Sequence, residues 1–141
     1  LLTKKKDRVL LLHHTNKWGT PGGILNHKEN PWKGMNREFK EETTIELPEV
    51  KNIDNSPGKI KYIDVNNTRV YIGYTPDCFK KLISKDYKIE NSNETDKWGI
   101  PKLTDIFNNP KSKFYIDKLK KRNKASFEKA RKKGFFSHIL K

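Results

Sequence analysis

The sequence contains a single cysteine, Cys78, which excludes an internal disulfide and is typical of proteins from a reducing compartment. It also lacks any apolar run approaching the roughly 18 residues of a membrane span, and it shows no signal peptide. We therefore expect a cytoplasmic protein with no membrane partner. Its 141 residues suffice for one ordinary domain, and we predict a single domain over residues 1–141.

Acidic residues are scarce, since 17 Asp and Glu stand against 31 Lys and Arg, and the net charge is +14. This excess indicates a polyanionic partner such as nucleic acid or another polyphosphate. The competing interpretation is a general bias of the sequence towards Lys, Asn and Ile. Three common chemistries also lack their signatures: there is no Cys/His zinc spacing, no GxSxG motif and no Gly-rich P-loop.

Several of the few carboxylates that are present lie in one segment. Asn30 is a good N-cap and Pro31 suits the first helical position, so the sequence predicts a helix over residues 31–43. At about 100° per residue, three glutamates share one face of this helix, and an apolar group shares the adjoining face. The acidic face also contains Gly34, where a ligand or another backbone can approach closely. The two groups are Glu38, Glu41 and Glu42, and Trp32, Met35, Phe39 and Thr43.

Like charges at this spacing repel one another by a few tenths of a kcal/mol per pair. Crowded carboxylates suit a hard cation such as Mg²⁺ or Mn²⁺, which prefers oxygen ligands. The alternative, on the helix alone, is a solvated acidic face.

The surrounding residues favour the metal site, because the stretch from residue 23 to residue 45 resembles the Nudix box. That signature is Gly, five residues, Glu, seven residues, then Arg-Glu-apolar-x-Glu-Glu-x-Gly-apolar. The one departure is Thr44, where the family usually has Gly, and a β-branched residue is strained there if φ is positive. Trp18 to Gly23 is similar to the strand-to-loop segment that precedes the box. The matching residues are Gly23, Glu29, Arg37, Glu38, Phe39, Glu41, Glu42 and Ile45.

The resemblance implies hydrolysis of a nucleoside diphosphate linked to another moiety, by attack of water on phosphorus with bound divalent ions. Glu41 and Glu42 match the pair that binds metal, and the carbonyl of Gly23 matches a further ligand. Glu38 matches a residue that binds metal or acts as the base. The implied roles of the remaining box residues are to orient the glutamates, for Arg37, and to support or extend the metal site, for Glu29.

A later acidic loop of the family supplies another glutamate to the metals, and Glu94 is our candidate, with Asp96 and Glu90 as rivals. The implied fold is a Nudix-type α/β/α sandwich, with a mixed sheet between the box helix and a basic C-terminal helix. Because the family's first strand is longer than the apolar run here, part of it is expected to precede Leu1. We predict strands at 9–14, 59–65 and 68–74, with a hairpin turn at Asn66-Asn67, and the C-terminal helix at 113–133.

The substrate is the least determined part of the prediction. The basic helix and the aromatic residues favour capped or 5′-phosphorylated RNA, as in mRNA decapping. The alternatives are small substrates, namely NTPs, dinucleoside polyphosphates, ADP-ribose or diphosphoinositol polyphosphates, and a catalytically silent RNA-binding module. An intact acidic set argues against the silent module. The residues that we predict to contact substrate are His14, Trp32, Tyr74, Lys120, Lys121, Arg122 and Lys124.

Overall fold

The apolar run that ends at His14 forms the central strand of a three-stranded antiparallel sheet. In the computed structural model, which describes residues 1–14, 16–23, 25–77 and 97–140, β1 (Leu11–His14) lies between β2 (Lys17–Gly19) and β5 (Lys97–Gly99). Leu12 is paired with Gly19 on one side and with Trp98 on the other. The side chain of Leu11 is fully buried, as expected for a strand covered on both faces.

A second, two-stranded sheet is the predicted hairpin of β3 (Tyr62–Val65) and β4 (Thr68–Tyr71). Asn66 and Asn67 form its turn and both have positive φ, as a two-residue hairpin turn requires. The strands are shorter than the predicted ranges, because the residues beyond them pair through isolated bridges, such as Lys51 with Tyr74, rather than along a ladder. The predicted α/β class is confirmed, because helices and antiparallel sheets combine in the structure. The ladders in the described ranges are antiparallel, and parallel pairing there occurs as isolated bridges.

The box helix α1 (Pro31–Thr43) has the predicted bounds. The side chain of Asn30 accepts hydrogen bonds from the backbone N–H groups of Trp32 and Lys33, at 3.0 and 3.3 Å. At the other end Thr44 has φ 64° and ψ 5°, and its N–H donates to the carbonyl of Lys40. The position at which the family usually has Gly is therefore left-handed in this chain, and a β-branched residue occupies it.

Replacing Thr44 with Gly should stabilise the fold. Left-handed backbone costs a residue with a Cβ about 1–2 kcal/mol, and Gly forfeits part of that gain through its freer unfolded chain. We expect the free energy of unfolding to rise by about 1 kcal/mol in urea titrations. Thr44→Ala keeps a Cβ and serves as the control, because it should gain much less. Equal stability of the two variants would contradict the strain at this position.

The C-terminal region differs from the prediction. It contains α2 (Leu103–Phe107), a 3₁₀ turn at Ile116–Lys118 and α3 (Lys121–Lys132), so the basic helix begins at residue 121 and not at 113. The backbone of Leu119 is extended and pairs with Trp18, and the N–H of Lys120 donates to the carbonyl of Trp18 at 3.0 Å. A continuous helix would lose both contacts and would displace Leu119 from the core, where it is 2% exposed.

The core lies between the three-stranded sheet and the C-terminal segments. Gly134, with φ 86°, turns the chain after α3, and Phe136 then packs against Phe107 and Phe127. Among the described residues, no helix combines the length and the apolar character needed to cross a bilayer. The buried hydrophobic residues that pack together include Leu2, Val9, Leu11, Trp18, Ile63, Leu103, Ile106, Ile116 and Leu119.

Candidate active site

Arg37 lies at the centre of the acidic cluster on α1. Its Nε and Nη2 donate to the two carboxylate oxygens of Glu29, at 2.9 and 3.0 Å. Its Nη1 donates to Glu38 at 3.0 Å and to both oxygens of Glu41 at 3.1 Å. A single guanidinium therefore brings together three carboxylates that would otherwise repel one another.

The loop before α1 is fixed to the same helix. The N–H of Gly22 donates to Glu42 Oε1 at 3.0 Å. Gly23 lies directly against the carboxylate of Glu38, since a Cβ built at Gly23 would come within 2.3 Å of Glu38 Cδ. The absence of a side chain at Gly23 thus allows this backbone and this carboxylate to meet. The glycine that begins the box and three of its glutamates occupy one small region.

Gly34 provides a second close approach. A Cβ at this position would lie 2.3 Å from Leu25 Cδ2 and 2.9 Å from Glu29 Oε1. The predicted space on the acidic face is therefore used by the loop, whose Glu29 reaches over the helix to Arg37.

This arrangement changes the acidity of Glu29. The hydrogen bonds from Arg37, and then the backbone N–H of Asn26, stabilise the charged form and lower the pKa of Glu29 from 4.5 to about 2. In return, the hydrogen bonds to Glu29, and then those to Glu41, raise the pKa of Arg37.

The lowered pKa of Glu29 predicts how stability depends on pH. A carboxyl group whose folded pKa is depressed stabilises the fold above its unfolded pKa, and this contribution disappears as the pH falls towards the folded value. We therefore expect Glu29→Gln to lower the melting temperature at pH 7, and the difference from the wild type to shrink between about pH 4.5 and pH 2. Thermal unfolding across this range measures it. Glu46→Gln is the control, because Glu46 is exposed and pairs only with Lys40 at the surface among its described contacts.

A cleft of about 820 Å³ opens beside the acidic cluster. The loop before α1, the apolar face of α1, the β3–β4 hairpin and the first turn of α3 form its walls. Lining residues from these four segments include Gly22, Gly23, Trp32, Glu38, Tyr71 and Arg122. The cleft therefore places carboxylates, aromatic rings and one basic residue of the C-terminal helix around a single volume.

The aromatic wall of the cleft is a connected cluster. Trp32 and Tyr71 meet edge to face with ring centroids 4.9 Å apart, and Tyr71 meets Tyr62 in the same manner at 5.7 Å. The guanidinium of Arg69 lies 3.9 Å from the ring centroid of Tyr62 and pairs with Asp64, lowering the pKa of that carboxyl. Aromatic faces and an arginine plane are the surfaces on which nucleobases stack.

Of the other residues predicted to contact substrate, some line the cleft and others do not. Trp32 lines the cleft, whereas Tyr74 is 9% exposed and its hydroxyl donates to Asn55, with Lys6 over its ring. His14 is half-buried at the end of β1, opposite Lys17. Tyr71, three residues before Tyr74, lines the cleft. Glu94 and its rivals Asp96 and Glu90 lie outside the described residues, as does Cys78.

The four basic residues at the start of the C-terminal helix also differ in their contacts. Arg122 is exposed and lines the cleft. Lys124 donates to Asp117 at 2.6 Å, and this ion pair raises its pKa. Lys120 packs its stem over Gly19, while Lys121 is exposed at the first residue of α3. Of these four residues, Arg122 is therefore the one that lines the cleft together with Glu38.

Oxygen donors around the loop fit a hard cation in their chemistry, because four carboxylates and the backbone of Gly23 lie within one loop and one helix. In the described ranges, no group of three or more His, Cys, Asp or Glu side chains is arranged as a metal site. The carboxylates point instead at Arg37 and at the N–H of Gly22. Cation binding would require Glu41 to turn away from Arg37, which costs little because its side chain is 58% exposed.

The family follows from this site and from the comparison with known families. The model of the NUDIX domain matches residues 1–121, and the chain belongs to the Nudix family. It is thus a hydrolase of pyrophosphate bonds, for which the family implies a nucleoside diphosphate-linked substrate, and Nudix hydrolases generally use divalent metal ions. No curated protein matches the sequence.

Two features at or beside the cleft were not predicted from the sequence. The Tyr62–Tyr71–Arg69 cluster lies on the hairpin, and the alternation of the hairpin was the available signal, since Tyr62 and Tyr71 are directly opposite each other across it. The second feature is a hydrogen bond between Thr20 and Asn123, which are 103 residues apart in the chain. No local sequence pattern identifies such a pair.

Proposed function

We propose that this Nudix hydrolase acts on the 5′ end of RNA, at the cap or the 5′ phosphates, with Mg²⁺ or Mn²⁺. The observation that carries the proposal is the composition of the cleft. The box residue Glu38, the aromatic rings of Trp32 and Tyr71, and Arg122 line one volume of about 820 Å³. The single cysteine supports a cytoplasmic setting for this activity.

At the acidic side, Glu41, Glu42 and the carbonyl of Gly23 are the proposed metal ligands, with Glu29 in support. Bound divalent ions would neutralise the pyrophosphate and provide an activated water. Glu38 is the proposed ligand or base, and its contact with Gly23 places it where the loop meets the helix. Arg37 holds Glu29, Glu38 and Glu41 in one cluster before substrate arrives. Glu94 remains a proposed further ligand from the later loop.

Trp32 and Tyr71, which also line the cleft, offer a stacking surface for the terminal base, which is how proteins recognise unpaired nucleotides. The next phosphates of an RNA chain would leave the cleft past Arg122. The helix that follows is strongly basic and contains few acidic residues; its Lys and Arg residues are Lys121, Arg122, Lys124, Lys129, Arg131 and Lys132. Phosphate neutralisation by such residues supplies most of the affinity for nucleic acid in many complexes.

The size of the cleft favours a second candidate, a small nucleotide. A volume of about 820 Å³ accommodates a whole dinucleoside polyphosphate, within the usual range of ligand pockets. Such a substrate would use the acidic cluster and the aromatic wall without needing the rest of α3.

A length series of substrates decides between the two candidates. With RNA as substrate, we expect kcat/KM for 5′-triphosphorylated oligoribonucleotides to rise by roughly 10-fold or more from one nucleotide to about ten, because each added phosphate reaches further basic residues. A capped series tests the cap in the same way. An inverse trend, with a dinucleoside polyphosphate hydrolysed best, would establish the small-nucleotide alternative.

A further inference from the structure

The first turn of the basic helix is attached to the loop that begins the Nudix box. Asn123 Oδ1 accepts a hydrogen bond from the hydroxyl of Thr20 at 2.6 Å and another from the N–H of Thr20 at 3.2 Å. Asn123 is only 2% exposed, so both bonds are shielded from water.

Neighbouring contacts extend this attachment along the chain. Trp18 pairs with Leu119, and the carbonyl of Trp18 accepts from the N–H of Lys120. Gly19 permits the close approach, since a Cβ there would lie 2.6 Å from Asn123 Nδ2. The end of β2 and the start of α3 are therefore joined over three consecutive residues on the β2 side.

Asn123 makes both of its hydrogen bonds to Thr20 through Oδ1. Its Nδ2 is buried without a hydrogen-bond partner in the part of the chain that the structure describes, and a buried donor left unpaired is destabilising. The contact of Asn123 with the loop therefore depends on Oδ1, the acceptor for Thr20.

Thr20 is three residues before Gly23. Between them, the N–H of Gly22 donates to Glu42, and Gly23 then packs against the carboxylate of Glu38. A shift of Thr20 would move this loop relative to α1, and displacements of about 1 Å in a catalytic site are associated with losses of up to 10²-fold in rate.

We propose that Asn123 is a positioning residue for the hydrolysis, which acts through Thr20 to hold the Gly22–Gly23 loop against Glu42 and Glu38. Asn123 lies in the C-terminal helix, beyond the residues that the family model matches. Its role concerns the pyrophosphate chemistry and does not depend on whether the substrate is RNA.

Asn123→Leu and Thr20→Val test the proposal, because each removes one partner of the short hydrogen bond while keeping similar size. Thr20→Ser keeps the hydroxyl and should behave like the wild type. Asn52→Leu is the matched control: Asn52 is equally buried, at 2% exposed, and makes three hydrogen bonds to residues 56–61, outside the loop. Its loss should lower stability without affecting the site.

Two measurements are needed. In steady-state assays with a dinucleoside tetraphosphate and with a 5′-triphosphorylated oligoribonucleotide, we expect kcat to fall by about 10-fold or more in the two disrupted variants. KM should stay within about twofold, and Thr20→Ser and Asn52→Leu should keep kcat. In ¹⁵N NMR, the Gly22 amide should exchange with solvent about 10-fold faster in the disrupted variants, independently of any substrate.

The proposal is overturned if the Gly22 amide and kcat respond equally in Asn52→Leu, or if both are unchanged in Thr20→Val. The amide measurement also separates this proposal from the choice of substrate. If the wild type hydrolyses neither probe, the proposed function fails for those substrates, while the exchange rate of Gly22 still decides the role of Asn123.

Discussion

Glu42→Gln should reduce turnover by about 10²-fold or more, with little effect on folding. Gln keeps the size of Glu and an oxygen that can accept from the N–H of Gly22, so the contact at 3.0 Å survives. What disappears is a negative charge next to the proposed cation, whose interaction with the reacting phosphates supplies several kcal/mol of transition-state stabilisation. A loss of about 3 kcal/mol corresponds to roughly 10²-fold in rate.

Glu41→Gln should have a comparable effect for the same reason, and a chelator should abolish the activity of the wild type. The matched control is Glu46→Gln. Glu46 is an exposed glutamate just past the same helix, where it pairs with Lys40, and its removal should leave kcat unchanged. Steady-state rates at saturating Mg²⁺ and at saturating Mn²⁺ provide the measurement. Near-wild-type turnover of either box variant would mean that our ligand assignment is wrong.

The parts of the fold that were predictable from the sequence depend on neighbouring residues. The bounds of α1 follow from Asn30 and Pro31 at one end and from its apolar periodicity, and the hairpin turn follows from Asn66-Asn67. The strain at Thr44 was also predictable, because the resemblance identifies the position at which Gly is usual. These signals are local, so one sequence is enough to interpret them.

The start of the basic helix could not be predicted in this way. Residues 113–120 have helical spacing, but Leu119 and Lys120 bond to Trp18, about one hundred residues earlier in the chain. Tertiary pairing outweighs a modest local preference. The different positions of Tyr71, which lines the cleft, and Tyr74, which packs away from it, have a similar origin. Both are aromatic residues of one strand region, and the packing of Tyr74 against Asn55 and Lys6 decides which of them is buried.

In the site, the acidic residues and Arg37 could be predicted from the spacing of the box. The cleft itself could not be predicted, because its walls come from segments that are distant in the sequence. Charge alone made Lys120, Lys121, Arg122 and Lys124 equivalent in the sequence. The structure distinguishes them, since Arg122 lines the cleft and Lys124 is held by Asp117.

This difference sharpens the test of RNA binding. We expect replacement of Lys120, Lys121, Arg122 and Lys124 by Gln to weaken RNA binding by about 1.4–2.8 kcal/mol in total, or roughly 10- to 100-fold in Kd. The log–log dependence of affinity on salt should flatten by about 0.7 for each phosphate contact that is lost. Among single variants, Arg122→Gln should have the larger effect and Lys124→Gln the smaller, because Lys124 is already neutralised by Asp117.

Lys4 and Lys5 provide a control of equal charge for a double variant at Lys121 and Arg122. They lie in the exposed turn before β1 and are not part of the cleft lining, so their replacement by Gln removes two positive charges at a distance from the substrate. Hydrolysis of a dinucleoside polyphosphate should hardly change in the variant at Lys4 and Lys5. In the variant at Lys121 and Arg122 it should change less than RNA binding does, because a small substrate in the cleft meets Arg122 but feels the rest of α3 only through a field that salt screens within about 10 Å at 0.1 M. If the two double variants weaken RNA binding equally, the effect belongs to net charge and not to the helix. If neither variant weakens RNA binding, the basic side of α3 is a solvated surface of a lysine-rich protein, and a small nucleotide becomes the better-supported substrate.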